Sequence, residues 1–533
     1  MTVEIHNVGA RILRLRCATD PLNDALLSQP YAQGRMPPTT SALPGLRAEI
    51  HEVTGLHARL PLGKPKEALR ARAFDAQLIE LRLLTADVFR GRFVAGYDYS
   101  PLGNILGGLA NVPSSTGFDS IRYQEQLQAI PDFLDDALWQ HRLQADAGAP
   151  PTQGAVRYAI SQAEAAAKNP ETYAATLPET LGNRVRETHN EILAGAFHRF
   201  ARGLNTHLAS SARGPAEQGL CYTEAGIEVY RALIHVHTGS TLSAAEIHDV
   251  GRESVQRLWL EINNALRLTG IDSITKLRVT EPWTTLADQH YKSETDYLKH
   301  LQSILAASIR AVRGVGFDVE PPRMEPIPLH QVATAPAAYY LPDLSPAGTG
   351  RLRVNFDAWR SAYPWQTEAL LHHEAIPGHH FQFAQIDSTQ LEDYERAAWF
   401  SSTIEGWGLY AEHLAEALGL YSSRDSLVGR LFLELFRAAR LVVDTGLHAF
   451  GWTSESAAAY LQEHSLLSPA QADAEIERYT EYPAQALSYQ MGKLSWINSI
   501  GSPSLDTLLA SRPILRAGII PPGALMLAAA AEQ

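Results

Sequence analysis

Apolar positions recur at intervals of three and four through most of the 533-residue chain, the spacing that lines one face of an α-helix. The pattern sets in at about Pro65, with KPKEALRARAFDAQLIELRLLTADVF. Farther on, LSAAEIHDVGRESVQRLWLEINNALRLTG adds a capping box, in which Ser243 and Glu246 stand where each can satisfy the other's backbone. In SPAQADAEIERYTEYPAQALSYQMGKL, Ser468 is placed to cap a helix with Pro469 at its first position, and Pro483 to open the next. Strand character is confined to APAAYYLPDLSPAGTGRLRVNF, where Tyr339 to Leu341 and Leu352 to Phe356 flank a Pro- and Gly-rich turn. The spacing therefore predicts a mainly α fold with one small β-hairpin or sheet. Residues 28–64 are broken up by Pro, Gly and Ser, so residues 1–64 are expected to form an irregular N-terminal arm and residues 65–533 the helical domain.

Composition narrows the function classes. A hydrophobic content of 45% supports a large core, and a formal net charge of -13 argues against nucleic acid or an anionic membrane as partner, since both need clustered Lys and Arg. Only Cys17 and Cys221 occur, which excludes a disulfide framework or a thiolate zinc site and suits a reducing compartment. Arginines interrupt every apolar run in MTVEIHNVGARILRLRCATD, and nowhere do about 18 uncharged apolar residues follow one another. The expectation is a soluble, cytoplasmic protein without a signal peptide.

One segment breaks the helical pattern in a way that carries chemistry. LLHHEAIPGHHFQ, residues 370–382, begins like the HExxH helix of zinc hydrolases, in which two histidines four apart hold the metal beside a glutamate base. Here His373 and Glu374 are followed by Pro377, Gly378, His379 and His380. In an unbroken helix His373 and His380 would share a face about 10 Å apart, too far for joint ligation, and His379 would point about 120° away. Pro377 lacks an N–H and pushes Ile376 out of the α region, while Gly378 accepts almost any backbone angle. A bulge that loops out two residues would return His379 to the ligand position. A bulge of three would bring His380 there instead, and His372 is a further candidate donor.

Three downstream segments add candidates. SSTIEGWGLYAEHLAEALG sets Glu405 among Ile404, Trp407, Leu409 and Tyr410, and a carboxylate in such company is expected to be paired or metal-bound. Glu412, near the same face, is a candidate to support a ligand. In LFRAARLVVDTGLHAFGW, Arg437, Arg440, Asp444 and His448 share one side of a helix. They read either as a buried ion-pair network or as functional groups, an arginine binding a substrate carboxylate and His448 donating to an oxyanion. In RYTEYPAQALSYQMGK, Tyr489 is a candidate to polarise a carbonyl beside the metal, Gln485 a substrate contact, and Tyr482 a core aromatic.

Taken together, YDYSPLGNILGG from Tyr97, TEAGIEVYRALI, AAYYLPD from Ala337, HEAIPGHHFQ, EGWGLYAEHL, RAARLVVDTGLHAFGW and RYTEYPAQALSYQMGKL resemble the bacterial family known as domain of unknown function 885, itself similar to the glutamate-zincin metallopeptidases. The resemblance runs over roughly residues 80–495. It implies a zincin-like helical fold around a deep cleft, dividing the catalytic domain into two lobes. It also implies a zinc ion held by His373, His379 and Glu405, with Glu374 as general base. The chain departs from the family in its missing signal peptide and in lacking the FHD segment near the C-terminus. The expected activity is a zinc-dependent hydrolysis of a peptide or amide. Non-proteolytic hydrolase, lyase or isomerase chemistry on a small metabolite is the competing reading, and a non-catalytic ligand-binding relative a third. The expected partners are a peptide or small-molecule substrate, with no nucleic acid or membrane, and with a homo-oligomer left open. RLRVNF is expected at the cleft edge, where a strand could pair with an extended substrate.

Overall fold

The three-and-four periodicity becomes helix almost throughout the computed structural model, which describes residues 2–22, 26, 32, 35–60, 63–95, 98–111, 120–171, 183–327, 337–340 and 350–531. The first 64 residues differ from the irregular arm expected of them. Thr2–Thr19 (α1) and Leu43–His57 (α2) are helices that pack with Pro65–Thr85 (α3). Ile5, Val8, Ile12, Leu13 and Cys17 bury one face of α1 against Ile50, Val53, Phe74 and Leu78. Of the arginines that broke the apolar run, Arg11 lies at the edge and pairs with Glu52 at 2.7 Å, whereas Arg16 is itself buried on that face and donates to the Ala397 carbonyl.

Ser120–Asp146 (α4), Gln153–Lys168 (α5) and Asn183–His207 (α6) form a bundle around Leu127, Leu134, Leu193, Phe197 and Phe200. Gly226–Thr238 (α7) leads into Ala244–Leu266 (α8), whose capping box forms as expected, with Glu246 accepting from the Ser243 amide at 2.8 Å. A three-stranded sheet follows in the order β1-β3-β2, with β1 at Arg323–Pro326, β2 at Ala337–Tyr340 and β3 at Arg351–Val354. β2 runs antiparallel to β3 with Tyr339 opposite Leu352, which is the expected strand pair, and contacts the helix that bears His373. The turn between them, residues 341–349, lies outside the described residues, as do residues 27–31 and 33–34 of the Pro-rich stretch and Tyr97. β1 pairs parallel to the other side of β3. Because β3 is the central strand, both its edges are taken and RLRVNF cannot receive a substrate strand, contrary to expectation.

The site rests on the C-terminal helices. Pro364–Glu374 (α9), His379–Ala384 (α10), Ser401–Ala417 (α11), Arg424–Phe450 (α12), Pro469–Glu481 (α13) and Ser488–Ile500 (α14) follow in order. α12 packs lengthwise against α8 and also carries α9. α11 and α14 approach backbone to backbone, since a Cβ on Gly406 would lie 2.4 Å from the Cα of Gly492. Trp407 and Trp496 close the same interface with ring centroids 4.8 Å apart. Each such ring buries about 150–250 Å², worth about 4–6 kcal/mol at 25 cal/mol/Å², so the helices holding the site are firmly anchored.

Candidate metal centre

The helix begun by Pro364 ends at Glu374, and a second starts at His379. The expected bulge within one helix is thus a full break, centred on the Pro-Gly pair. Gly378 is required there by close approach: a Cβ would stand 1.9 Å from the His373 carbonyl oxygen and 2.3 Å from that of His372. Trp407, from the EGW motif, grips the break through its indole N–H, which donates to the Pro377 carbonyl at 2.9 Å. Gly408 clears space for the His373 ring, whose Cε1 would lie 2.6 Å from a Cβ at that position.

The break brings His379 back to His373. Their rings meet edge to face with centroids 4.7 Å apart, and each Nε2 lies 3.5 Å from Oε2 of Glu405. Donor atoms of all three residues fall within 4.8 Å of one another. Ligands about 2.0–2.2 Å from a tetrahedral zinc ion stand roughly 3.3–3.6 Å apart, so this donor set fits zinc in both chemistry and spacing. Glu412, 1% exposed, accepts from Nδ1 of His373 at 2.8 Å, which fixes the tautomer and turns the Nε2 lone pair toward the centre. Burial lowers the affinity of His373 for a proton, but Glu405 and Glu412 overcome it and push the imidazole up to about 9. Burial likewise opposes the charge on Glu405, yet the two imidazoles hold its carboxyl well below the usual range. The centre thus favours a positive charge at the point where the ligands converge.

Tyr489 lies beside it. Its ring stacks on that of His373, with centroids 6.2 Å apart, and the guanidinium carbons of Arg440 and Arg437 lie 4.8 and 5.9 Å from its centroid. Burial and the charge of Glu405 raise the Tyr489 phenol, outweighing Arg440, Arg478 and Arg437, so the hydroxyl keeps its proton.

Residues 45–499 match the family model described as a bacterial protein of unknown function, DUF885. This chain belongs to that family. No curated protein matches it. Among solved structures, a "putative lipoprotein" from Colwellia psychrerythraea matches the DUF885 chain with a TM-score of 0.82 at 21% identity, covering 99% of both chains. A "putative lipoprotein of unknown function" from Shewanella oneidensis gives 0.70 at 16% identity, covering 94% of this chain and 95% of its own. These likenesses establish a shared, mainly helical fold. They also run against the cytoplasmic expectation, because each of the two structures is described as a "putative lipoprotein". No helix among the described residues is long and apolar enough to cross a membrane.

The remaining candidates of the DUF885 chain divide. His380 is no ligand here: its Nε2 reaches the Glu320 carbonyl at 2.6 Å. His372 turns its Nδ1 to the Ile376 carbonyl at 3.0 Å. His448 is corrected from oxyanion donor to structural residue. It is fully buried, its Nδ1 accepts from the Leu220 amide at 3.2 Å, its Nε2 donates to the Tyr479 carbonyl at 3.0 Å, and burial lowers it to about 3. Arg437 donates to the Leu433 carbonyl at 3.3 Å and sets Nη2 3.9 Å from Glu412. Arg440 reaches Tyr479 Oη at 3.0 Å and Glu475 at 3.2 Å. Gln485 accepts from Arg478 at 2.8 Å, and Arg478 also pairs with Glu475 at 3.0 Å. Arg437 and Arg440 therefore flank Tyr489, and Arg440 and Gln485 belong to a network whose other members, Glu475, Arg478 and Tyr479, the sequence reading passed over. Their spacing of three and four along α13 was the available signal. Asp444 braces the turn before Tyr489: it accepts from the Tyr230 hydroxyl at 2.6 Å and the Ala484 amide at 3.1 Å, and Ala484 holds a left-handed φ of 66°. Tyr482 is not core; its hydroxyl donates to Asp98 at 2.7 Å.

Proposed function

We propose that this chain is a zinc-dependent hydrolase of peptide or amide bonds, with a zincin-like catalytic centre. The observation that carries the reading is the convergence of His373 Nε2 and His379 Nε2 at 3.5 Å from Glu405, directly beside the half-buried Glu374. His373, His379 and Glu405 would hold the zinc ion, which supplies Lewis-acid polarisation of a carbonyl and acidifies a water. Glu374, which follows the first of these residues in sequence, would act as general base, taking a proton from the attacking water and giving it to the departing amine. Tyr489, kept protonated, donates to the oxygen on which negative charge develops. Arg437 and Arg440, packed on Tyr489, add a positive field that suits a substrate carboxylate.

The test is metal analysis of protein purified without added zinc, alongside Glu374→Gln and a broad peptide library. One zinc per chain in both proteins, with peptide cleavage by the wild type alone, is the expected result. Protein without bound metal overturns the reading. Bound zinc with no peptide cut overturns its peptidase part.

A further inference from the structure

A second cavity, of about 130 Å³, lies where α1, α3, α7 and the start of α11 meet, and the metal centre does not account for it. Its walls carry three carboxylates, Asp20, Glu80 and Asp98, against one cation, Arg90. Arg90 is already bonded to Gln140 at 2.9 Å and to the Pro38 carbonyl at 2.8 Å. Among the described residues Glu80 has no hydrogen-bond or ion-pair partner, although the charge of Arg16 reaches it, and burial raises its carboxyl; Asp98 is exposed and accepts from the Tyr482 hydroxyl at 2.7 Å. Two further lining residues leave polar atoms unpartnered: Oγ1 of Thr19, which is 6% exposed, and Nδ1 of His237, which is 4% exposed. The other nitrogen of His237 meets Tyr99 Oη at 2.6 Å, and burial lowers this histidine to about 3, so it adds no positive charge.

Aromatic rings complete the walls. Tyr99 meets Tyr482 and Phe89 edge to face, with centroids 4.9 and 5.1 Å apart. Carboxylates beside aromatic rings are the surroundings in which an organic cation is held by charge and by cation–π attraction together. At about 30 Å³ per water the space takes roughly four waters, too large for one bare metal ion and right for a side-chain-sized group.

The cavity is also connected to the candidate metal centre through α11. Ser401 lines it and Glu405 is a ligand four residues on; four residues turn a helix through about 400° and rise about 6 Å, so the two share one face of α11. An extended peptide covers about 3.3 Å per residue, which makes that separation about two residues.

We propose that this cavity recognises an alkylammonium or guanidinium group, so that the enzyme selects substrates with a basic residue within about two residues of the scissile bond. The selectivity rests on the hydrolase reading; the cation site itself does not. Calorimetric titration with n-pentylammonium, and with 1-pentanol as its neutral counterpart, tests the site without catalysis. The wild type and Glu374→Gln are expected to bind the ammonium and to bind the alcohol at least about tenfold more weakly. Glu80→Gln and the double variant with Asp98→Asn, checked for folding by thermal melts, lose the preference. Equal binding of the two probes, or a preference that survives in the folded double variant, overturns the proposal. In the peptide library, cleavage next to Lys or Arg that loses its preference in Glu80→Gln supports it, and cleavage indifferent to basic residues overturns it. Ammonium binding without any peptide cleavage supports the site and counts against the peptidase reading alone.

Discussion

His373 and Glu412, 39 residues apart, are joined by a buried hydrogen bond of 2.8 Å between two helices, α9 and α11. This bond leaves only Nε2 of His373 able to face a metal. Glu412→Gln keeps the shape but weakens the charge behind the imidazole. Its zinc affinity, measured by competition with a chelator, should fall about 10- to 100-fold with little change in fold. Unchanged affinity would show that the carboxylate merely fills space.

The helix break has no room for a side chain. Gly378→Ala forces a methyl group against the carbonyl oxygens of His373 and His372, at 1.9 and 2.3 Å before any relaxation. Denaturant unfolding should show a loss of about 1–3 kcal/mol or more, and zinc stoichiometry should drop below one as His379 is displaced. A variant of wild-type stability with full zinc would mean that the break tolerates another path.

Tyr489 and His448 looked alike in sequence as oxyanion donors and separate in the structure. Tyr489→Phe should lower kcat about 10²- to 10³-fold with zinc retained, as removal of an oxyanion donor does. His448→Gln should instead lower Tm, because it disturbs the bonds to Leu220 and Tyr479, and should leave kcat within a few-fold of the wild type. Reversed effects would restore His448 to the chemistry.

Asp444 offers a pH signature away from the metal. Burial pushes its carboxyl up to about 7, against the Tyr230 hydroxyl, the Ala484 amide and the charge of Arg478. An unfolded aspartate titrates at about 3.9, so between those values the folded chain keeps a proton that the unfolded chain has shed. The contribution to stability is full below about pH 4 and is lost as pH rises through about 7. Asp444→Asn stays neutral, so its Tm relative to the wild type should rise between about pH 4 and 7 and level off above. Glu481, also raised to about 7, titrates alike in both proteins and cancels from the difference. A difference in Tm that does not move with pH would refute the assignment.

The metal centre was legible because its signals are local. Pro377 and Gly378 announce the break, the interval to Glu405 fits a following helix, and Glu412 falls near the Glu405 face. The strand pair at Tyr339 and Leu352 was legible for the same reason, through its β-prone runs. His448 was misread because its partners, Leu220 and Tyr479, lie 228 and 31 residues away, and no spacing pattern names a backbone partner. The N-terminal helices were missed because Arg11 and Arg16 looked like interruptions, when Arg11 pairs with Glu52 at the edge of the buried face and Arg16 is buried with its guanidinium bonded to the Ala397 carbonyl. The acidic cavity draws one to three residues each from α1, α3, α7 and α11, so no stretch of the chain displays it.

Gly406 and Gly492 put bare main chain against main chain next to both Glu405 and Tyr489. Peptide groups have no rotamers to exchange, so the separation between the carboxylate and the phenol is gauged by backbone thickness. Side chains elsewhere on α11 and α14 can vary to suit a different ligand without resetting that gauge. The pair of glycines thereby fixes how far apart Glu405 and Tyr489 stand, whatever their neighbours on the two helices.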